Sequence, residues 1–276
     1  MMITQRVGVL GTGWLGTALV QQLVRRGHTV HFSRASGEGS PIAGATGFQV
    51  IVETDRITGD PVFWEVDVLI VLLPFRRGLP DPVTYRHQIE CMAERIEESP
   101  ISWVIMASST SIYPEATASA TEEMLLIPDS PRSAALHEAE NALLYHSGFN
   151  ATVVRLAGLY GPGRPLGQRS IIRNPEQRVN LIHKDDAVGI MIAILEQHAV
   201  GDVFNAVSDT HPVREILYKA AAREGGFSEP VFEPDSIGHP WGKVVSNHKV
   251  KEKLHYTFLH PDPMAGLTGL TSSGND

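Results

Sequence analysis

Three glycines near the start of the chain have the spacing of a nucleotide-binding turn. They are Gly11, Gly13 and Gly16 in the stretch VGVLGTGWLGTAL, residues 7–19, where an apolar run precedes them and a helical pattern follows. Between a strand and a helix, this spacing lets the backbone approach a pyrophosphate at the helix N-terminus, where N–H groups and the helix dipole favour anions. We predict that Gly11 makes the turn, Gly13 permits the approach and Gly16 lets the helix pack; a purely architectural turn is the alternative. The cofactor-binding residues predicted here are Gly11, Thr12, Gly13, Trp14, Leu15 and Gly16.

The end of the second predicted strand determines which dinucleotide we expect. An NAD site has Asp or Glu roughly 20 residues after the turn, where the carboxylate binds the ribose 2′-hydroxyl. This chain has Ser33 and Arg34 there instead. Because a hydroxyl and a guanidinium suit a 2′-phosphate, we predict NADP as the cofactor, with NAD as the alternative. A solvent-exposed Arg34 without a ligand is the other interpretation.

The stretch LLPFRR, residues 72–77, ends the fourth predicted strand. We expect Leu73 and Pro74 to pack against the adenosine half of the cofactor. Arg76 and Arg77 either reach a phosphate or an anionic substrate, or are simply solvated.

Short apolar runs alternate with amphipathic segments along most of the chain. This alternation predicts βαβ units and a mostly parallel sheet. The strand-like runs are continuously apolar, as a sheet with helices on both faces requires. We therefore predict an α/β fold: a doubly wound Rossmann sheet with a small C-terminal substrate lobe. The predicted strands are residues 7–10, 29–33, 48–52, 66–73, 102–108, 151–156 and 202–207, and the predicted helices are residues 14–26, 84–98, 132–147, 185–198 and 212–224.

The character of the sequence changes after residue 160, where a loop rich in Gly and Arg begins. In this loop Arg164 and Arg169 either bind an anionic group or are solvated. The predicted domains are residues 1–160 for an NAD(P)-binding Rossmann domain, to which 179–207 return, and residues 161–178 and 208–276 for a smaller substrate-binding lobe.

The composition excludes several classes of protein. The net charge is −8, and an acidic chain without a basic cluster is a poor candidate for nucleic-acid binding. Cys91 is the only cysteine, which excludes internal disulfides and indicates a reducing compartment. The N-terminus lacks the apolar core of a signal peptide, and no apolar run reaches the roughly 20 residues of a membrane helix. We expect a cytoplasmic protein whose partner is a small molecule, not a membrane or a nucleic acid.

Five later segments resemble, in order, those of the extended short-chain dehydrogenase/reductases, the group of sugar-nucleotide epimerases and dehydratases. Within that group the chain is most similar to an atypical branch of NAD(P)-dependent epimerase/dehydratase-like proteins, with which it shares GxGWLG, LP-x-RR, SSTSxY and RLAGLxGPGR. The five segments are WVIMASSTSIYPE (103–115), VVRLAGLYGPG (153–163), VNLIHKDDAV (179–188), GDVFNAVSD (201–209) and KVKEKLHYTF (249–258).

The resemblance implies catalysis by a Ser or Thr, a Tyr and a Lys. In the family the Tyr, in a Y-x-x-x-K pattern on a helix, is the acid or base at the substrate oxygen, and the Lys lowers its pKa. The S-x-x-x-Y pattern ending at Tyr113 assigns Ser109 the hydrogen bond to that oxygen; a hydroxyl capping its own loop is the alternative. The resemblance also implies that Ser108 and Leu156 contact the cofactor, with the nicotinamide near Leu156 and Ala157.

The Tyr and Lys of this dyad are missing. If the Glu on the family's helix is Glu140, then Leu136 occupies the Lys position and Arg132 the Tyr position. Independently of this alignment, the first lysine of the chain is Lys184, so no register can place the dyad on this helix.

Other side chains are candidates for the missing function. Ser133 and His137 are four residues apart and can face the same side of the helix, and His137 can titrate near neutral pH. Arg132 can supply the fixed cation. A surface or packing role for His137 is the alternative. Tyr145 lies too far along the helix, whereas Tyr113 belongs to a loop that can approach a ligand.

We expect an NAD(P)-dependent oxidoreductase or epimerase-like enzyme acting on a small polar substrate, for which a sugar-nucleotide-like compound is one candidate. Ser109 would polarise the substrate oxygen, and a bound water or His137 would relay the proton. A non-catalytic NADP-binding sensor or scaffold is the alternative. The family's dehydratases have an acidic pair where this chain has Thr110 and Ser111, so dehydration is not expected.

No metal site is expected from the sequence, because the histidines lack the usual ligand spacings. The run HKDD, residues 183–186, is interpreted from the resemblance as a strand end and helix cap. The resemblance also implies a homodimer formed through the helices at 84–98 and 132–147.

Overall fold

The computed structural model describes residues 4–37, 39–75, 82–234 and 241–267. The chain divides into two compact units. The assignment of its parts to a dinucleotide-binding domain and a substrate lobe stays a prediction. The first unit contains Met1–Ile112, Ser130–Arg155 and Met191–Phe204, and the second contains Tyr113–Asp129, Leu156–Ile190 and Asn205–Asp276.

Strands β1 to β14 follow one another along the described residues, and eight of them form one sheet. Their bounds are β1 Arg6–Leu10, β2 Thr29–Arg34, β3 Ala45–Val52, β4 Ile57–Gly59, β5 Val68–Val71, β6 Trp103–Ser109, β7 Ser119–Ala120, β8 Asn150–Leu156, β9 Gly158–Tyr160, β10 Ile171–Arg173, β11 Leu181–His183, β12 Val203–Ala206, β13 Val231–Glu233 and β14 Val244–Val245. The large sheet has the order β12-β8-β6-β5-β1-β2-β3-β4. In it β1 pairs in parallel with β2 and β5, β2 with β3, and β5 with β6.

The predicted α/β class with a mostly parallel sheet is confirmed. All four residues of β5 are buried, as expected for a central strand covered on both faces. Each of the seven predicted strands overlaps an observed strand of this sheet. The antiparallel pairing of β4 with β3 was not predicted.

Six helices are described, and their buried residues recur at helical spacing. In the first helix Gly16, Leu19, Val20 and Leu23 face inward, and these positions follow the i, i+3, i+4, i+7 pattern. The five predicted helices are all present, with ends within about three residues of the predicted ones. The bounds are α1 Trp14–Arg25, α2 Pro82–Glu97, α3 Pro131–Leu144, α4 Lys184–Glu196, α5 Arg214–Gly225 and α6 His248–Leu254.

The start of α3 is fixed by its own sequence. Ser130 is the N-cap, Pro131 occupies the first turn, and the hydroxyls of Ser130 and Ser133 form a capping box with each other's backbone N–H groups. Because this cap fixes the first turn of α3, it also fixes the position of Arg132 in that turn.

The second unit is built on three short parallel strand pairs, which the sequence did not predict. They are β9 with β11, β10 with β13 and β7 with β14. A core cluster that includes Tyr160, Leu217 and Tyr218 packs in this unit. Lys243, which is 8% exposed, donates to the Tyr113 carbonyl at 2.6 Å and to the Glu115 carboxylate at 2.7 Å. Among the described residues, none of the helices has the length and apolar character that crossing a membrane would require.

Candidate functional site

The glycine turn joins β1 to α1 at the carboxyl edge of the large sheet. Gly11 has φ 97°, a conformation that glycine adopts without strain. A Cβ atom at Gly11 would lie 3.0 Å from the Leu72 carbonyl oxygen, and one at Gly16 would lie 2.8 Å from the Gly11 carbonyl oxygen. A Cβ atom at Gly13 would meet nothing within 4 Å. Gly11 and Gly16 are therefore required by close packing, whereas the space over Gly13 is open.

The N-terminus of α1 has the character of an anion-binding end. Gly13 is its N-cap, no side chain caps the helix, and its first turn carries no acidic residue. The first backbone N–H groups of a helix lack partners within the helix, and the helix dipole makes this end positive. The turn therefore offers donors and positive potential beside the open space over Gly13.

Ser33 and Arg34 end β2 next to the turn. The Ser33 hydroxyl, 1% exposed as a residue, accepts the Gly11 N–H at 3.2 Å, and the Ser33 carbonyl accepts the Thr12 N–H at 2.8 Å. Ser33 therefore holds the glycine turn in place. Arg34 donates to the Ser40 carbonyl at 2.9 Å, and its guanidinium lies 5.0 Å from the ring centre of Phe32. Binding of a 2′-phosphate by this pair stays a prediction.

The segment after β5 places an aromatic residue, Phe75, near α3. Leu73 is half-buried and Pro74 is exposed. The Tyr85 hydroxyl donates to the Leu73 carbonyl at 3.5 Å, and the Tyr85 ring packs edge-on against Phe75 at 5.1 Å. Burial raises the pKa of Tyr85, so this phenol stays protonated and is not a base at neutral pH. The predicted candidates Arg76 and Arg77 lie outside the described residues.

Ser108, near the end of β6, belongs to a buried ionic cluster. Its hydroxyl donates to Glu140 Oε1 at 2.5 Å. Arg155 forms an ion pair with Glu140 at 2.7 Å, and the side chains of Arg155 and Glu140 are 5% and 1% exposed. Glu140, which marks the family alignment on α3, therefore ties that helix to β6 and β8. The Ser108 hydroxyl is committed to this cluster, and a contact of Ser108 with a cofactor stays a prediction.

Ser109, the last residue of β6, ends a chain of three polar side chains. The Ser109 hydroxyl accepts the Ser111 N–H at 3.2 Å and the Ser111 hydroxyl at 2.9 Å. The Ser111 hydroxyl in turn accepts Nε–H of Arg132 at 3.1 Å. The Arg132 guanidinium lies 4.4 Å from the ring centre of Phe75, which is a cation–π arrangement. The Arg132 guanidinium is thus a fixed cation that is connected to Ser109 through the Ser111 hydroxyl.

The structure distinguishes between the α3 candidates for the missing dyad. Arg132, in the Tyr position of the alignment, joins the Ser109 cluster, whereas Leu136, in the Lys position, is buried. The Ser133 hydroxyl is used by the helix cap. His137 Nε2 lies 3.3 Å from the Asn141 amide one turn along the same helix. No contact among the described residues connects His137 with Ser109.

The two tyrosines have different environments. Tyr113 is fully buried in the second unit, where its hydroxyl donates to Asn205 Oδ1 at 2.8 Å. Tyr145 follows the end of α3 and is 82% exposed. Leu156 and Ala157, proposed near the nicotinamide, are buried at the end of β8.

The loop residues Arg164 and Arg169 are both exposed. The Arg169 guanidinium lies 5.6 Å from the ring centre of Tyr218 in the second unit. For both arginines the choice between an anion-binding and a solvated role stays open.

Sequence reasoning missed Ser111 and Phe75. Ser111 entered only as one of the residues that replace an acidic pair, and Phe75 was given no role within the stretch LLPFRR. The signal available in the sequence was the clustering of hydroxyls in SSTS, residues 108–111, together with a cation in the Tyr position.

Comparison with known proteins supports the fold. No family model matches the chain. The chain is 28% identical to Protein YeeZ of Escherichia coli K12 over 272 residues, which cover 94% of this chain and 98% of that protein. It resembles the UDP-glucose 4-epimerase of Thermotoga maritima, solved with UDP-glucose, with a TM-score of 0.78 and 21% identity over 96% of this chain and 97% of that one. It also resembles the human epimerase family protein SDR39U1, solved with NADPH, with a TM-score of 0.73 and 20% identity over 96% and 99% of the two chains.

These neighbours share the architecture over nearly the whole chain. The chain therefore has the fold of the epimerases and of the short-chain dehydrogenase/reductase superfamily, as the sequence resemblance implied.

Proposed function

We propose that this chain is an NAD(P)-binding oxidoreductase or epimerase-like enzyme acting on a small polar substrate, for which a sugar-nucleotide-like compound is one candidate. The observation that carries the proposal is the chain of hydrogen bonds from Arg132 through Ser111 to Ser109. Leu10, Val71 and Met106 are register partners on adjacent parallel strands. The glycine turn and Ser109 therefore follow strands that end at the same edge of the sheet, where ligands bind in folds of this kind.

The glycine turn fits a dinucleotide cofactor. The open space over Gly13 and the uncapped N-terminus of α1 suit a pyrophosphate, and neither contains a carboxylate that would repel it. When bound, a nicotinamide cofactor supplies or takes up the hydride. The human neighbour was solved with NADPH, and a superfamily protein of Agrobacterium tumefaciens with NAD. NADP is the preferred form, because β2 ends in Ser33 and Arg34 and not in a carboxylate.

In place of the Tyr–Lys dyad, the hydrogen-bonded series of Arg132, Ser111 and Ser109 supplies a polarised hydrogen-bond donor to the substrate oxygen. Ser111 accepts from Arg132 and donates to Ser109, so the Ser109 hydroxyl has two incoming donors. Its own proton is then directed outward, where it donates to a substrate carbonyl or alkoxide oxygen. The guanidinium at the head of the chain polarises this donor and favours negative charge on that oxygen.

The proton of the reaction passes between solvent and the substrate oxygen through Ser109. When a carbonyl is reduced, its carbon receives the hydride and its oxygen receives one proton, which Ser109 delivers and regains from solvent through a bound water. Oxidation of an alcohol runs the same transfers in reverse. His137 is not needed for this route, since it contacts Asn141 on its own helix.

A non-catalytic NADP-binding sensor or scaffold is the second candidate. The absence of a Tyr–Lys dyad favours it, because Leu136 replaces the cation that holds the phenol in the family. The two candidates differ in whether the Ser109 hydroxyl acts on a substrate.

Turnover measurements separate the candidates. Consumption or formation of NADPH is followed with a panel of sugar nucleotides and simple carbonyl compounds. Loss of a preorganised donor to an oxyanion costs about 100- to 1,000-fold in kcat, so we expect this loss in Ser109→Ala, with unchanged affinity for NADPH. Ser147→Ala, at an exposed residue between α3 and β8, is the matched control. Turnover that survives Ser109→Ala refutes the assignment, and NADPH binding without any turnover supports the sensor.

A further inference from the structure

Two imidazoles and a carboxylate meet in the second unit. His183 ends β11, Asp185 lies in the first turn of α4, and His260 comes from the segment after α6. Each offers one ligand atom, and these atoms all lie within 4.8 Å of one another. None of the three has a role in the proposed function. Because metalloproteins use two histidines and an aspartate as a donor set, the cluster is a candidate metal site.

Two of the three separations between donor atoms are close to those around a tetrahedral ion. His183 Nδ1 and His260 Nε2 each lie 3.6 Å from Asp185 Oδ2. Around an ion with bonds of about 2.1 Å, neighbouring tetrahedral ligands are about 3.4 Å apart. We propose that His183, Asp185 and His260 form a site for a divalent transition-metal ion of the zinc type.

The surroundings hold the ring of His183 in place. Its ring is 4% exposed and packs edge-on against Tyr160 at 5.1 Å. A Cβ atom at Gly161 would lie 3.1 Å from His183 Nε2, so this edge of the ring faces the backbone of Gly161. The Asp185 N–H donates to His183 Nδ1 at 3.2 Å, and Asp185 Oδ2 lies 3.6 Å from the same nitrogen.

The backbone around His260 is fixed by buried Asp186. Asp186 Oδ1 accepts the Leu259 N–H at 2.7 Å, and Oδ2 accepts the His260 N–H at 2.9 Å. The His260 carbonyl accepts the Ser208 hydroxyl at 3.3 Å. Elements far apart in the sequence are therefore held next to each other by contacts that do not use the three ligand side chains. Such support from neighbouring groups is typical of metal sites.

Binding the ion requires two small adjustments. The rings of His183 and His260 are stacked at 3.6 Å with a tilt of 37°, so the His260 ring must turn out of the stack to direct Nε2 at the ion. The ion also replaces the N–H donor at His183 Nδ1. The side chains of His260 and Asp185 are 32% and 50% exposed, which gives them room to move and leaves a fourth position for water.

The donor set and the local charge determine the kind of ion. Two imidazoles with one carboxylate suit zinc, cobalt, nickel or copper, whereas magnesium and calcium prefer oxygen ligands. Lys184, between the first two ligands, is balanced by Asp185 and Asp186 on the same segment. A site at HKDD was not expected from the sequence, and the second imidazole comes from a distant part of the chain.

Calorimetric titration of the chelator-treated full chain with zinc alone tests the proposal, with magnesium as the negative probe. We expect one zinc equivalent, and an affinity at least about 10-fold lower in His260→Gln and in Asp185→Asn. His248→Gln is the matched control, since His248 is a 72% exposed histidine paired with Glu252, where only weak nonspecific zinc binding is expected. Cobalt titrated in the same way should give tetrahedral visible absorption that His260→Gln abolishes.

Far-UV circular dichroism verifies that the variants fold, which we expect because Asp186 and Ser208 hold the backbone of residue 260 without its imidazole. Zinc affinity that is unchanged in either His260→Gln or Asp185→Asn, lost in His248→Gln, or absent in the wild-type chain overturns the proposal. The result is independent of nucleotide binding, which is measured on glycine-turn variants.

Discussion

Replacement of Glu140 by Gln tests whether the buried cluster on α3 stabilises the first unit. Glu140 accepts the Ser108 hydroxyl and three N–H contacts from Arg155, at distances between 2.5 and 3.2 Å. In Glu140→Gln the Arg155 guanidinium keeps its charge in a place where its side chain is 5% exposed. Removal of one partner of a buried ion pair costs about 3–5 kcal/mol, because the other charge is left uncompensated.

The control lies two residues away on the same helix. Glu138 pairs with Arg86 at 3.3 Å, but the Glu138 side chain is 49% exposed. Exposed pairs contribute about 0–1 kcal/mol, so Glu138→Gln should leave the free energy of unfolding almost unchanged. Both substitutions remove one charge and nearly no volume, and they differ mainly in burial.

Urea unfolding followed by tryptophan fluorescence measures the difference, since Trp64 and Trp103 are buried in the same unit. With a urea m-value of about 3 kcal/mol/M, the expected loss moves the midpoint by roughly 1–2 M. A midpoint of Glu140→Gln within about 0.3 M of that of Glu138→Gln would show that the buried cluster does not stabilise the first unit.

Three further results follow from the structure. Gly13→Ala should keep the thermal stability, because its Cβ meets nothing within 4 Å, yet weaken NADPH binding at least about 10-fold by closing the approach to the pyrophosphate. Gly16→Ala should lower the melting temperature, because its Cβ would lie 2.8 Å from the Gly11 carbonyl oxygen; equal melting temperatures for the two variants would contradict this. In the metal-free chain, burial lowers the pKa of His183 to about 4 and also lowers the pKa of His28 and His211. The unfolded chain therefore binds protons on these histidines before the native chain does, and the free energy of unfolding should fall as the pH drops from 7 towards 4, which urea midpoints at several pH values measure. A midpoint that is constant over this range would show that the pKa values of these histidines are not lowered in the native state.

Local patterns were sufficient to predict seven of the eight strands of the large sheet and five of the six described helices. Continuous apolar runs such as β5 and inward-facing series such as that of α1 are properties of contiguous residues, so the sequence contains them directly. The three glycines of the turn likewise lie close to one another in the sequence, so their spacing can be read directly. The resemblance to known motifs then implied the Rossmann-type fold that these elements form.

The rest depends on residues that are far apart in the chain. The pairing of Ser119–Ala120 with Val244–Val245 involves two residues on each side, which is too short to produce a pattern. Ser111 contacts Arg132 only because the cap of α3 fixes the first turn of that helix. The His260 imidazole lies beside His183 only because Asp186 holds the backbone of His260. The Ser33 hydroxyl was predicted as a phosphate ligand, but its contact with Gly11 is a property of the folded turn.

Dinucleotide binding is tested most directly by a calorimetric titration of the purified chain with NADPH, NADP, NADH and NAD at fixed ionic strength. We expect binding, with the 2′-phosphorylated forms preferred and the preference lost in Arg34→Ala. Equal binding of all four nucleotides would contradict the interpretation of Ser33 and Arg34 while leaving the glycine turn as a dinucleotide site. Failure of all four to bind would show that the turn is only architecture and that the chain is not a dinucleotide-binding protein.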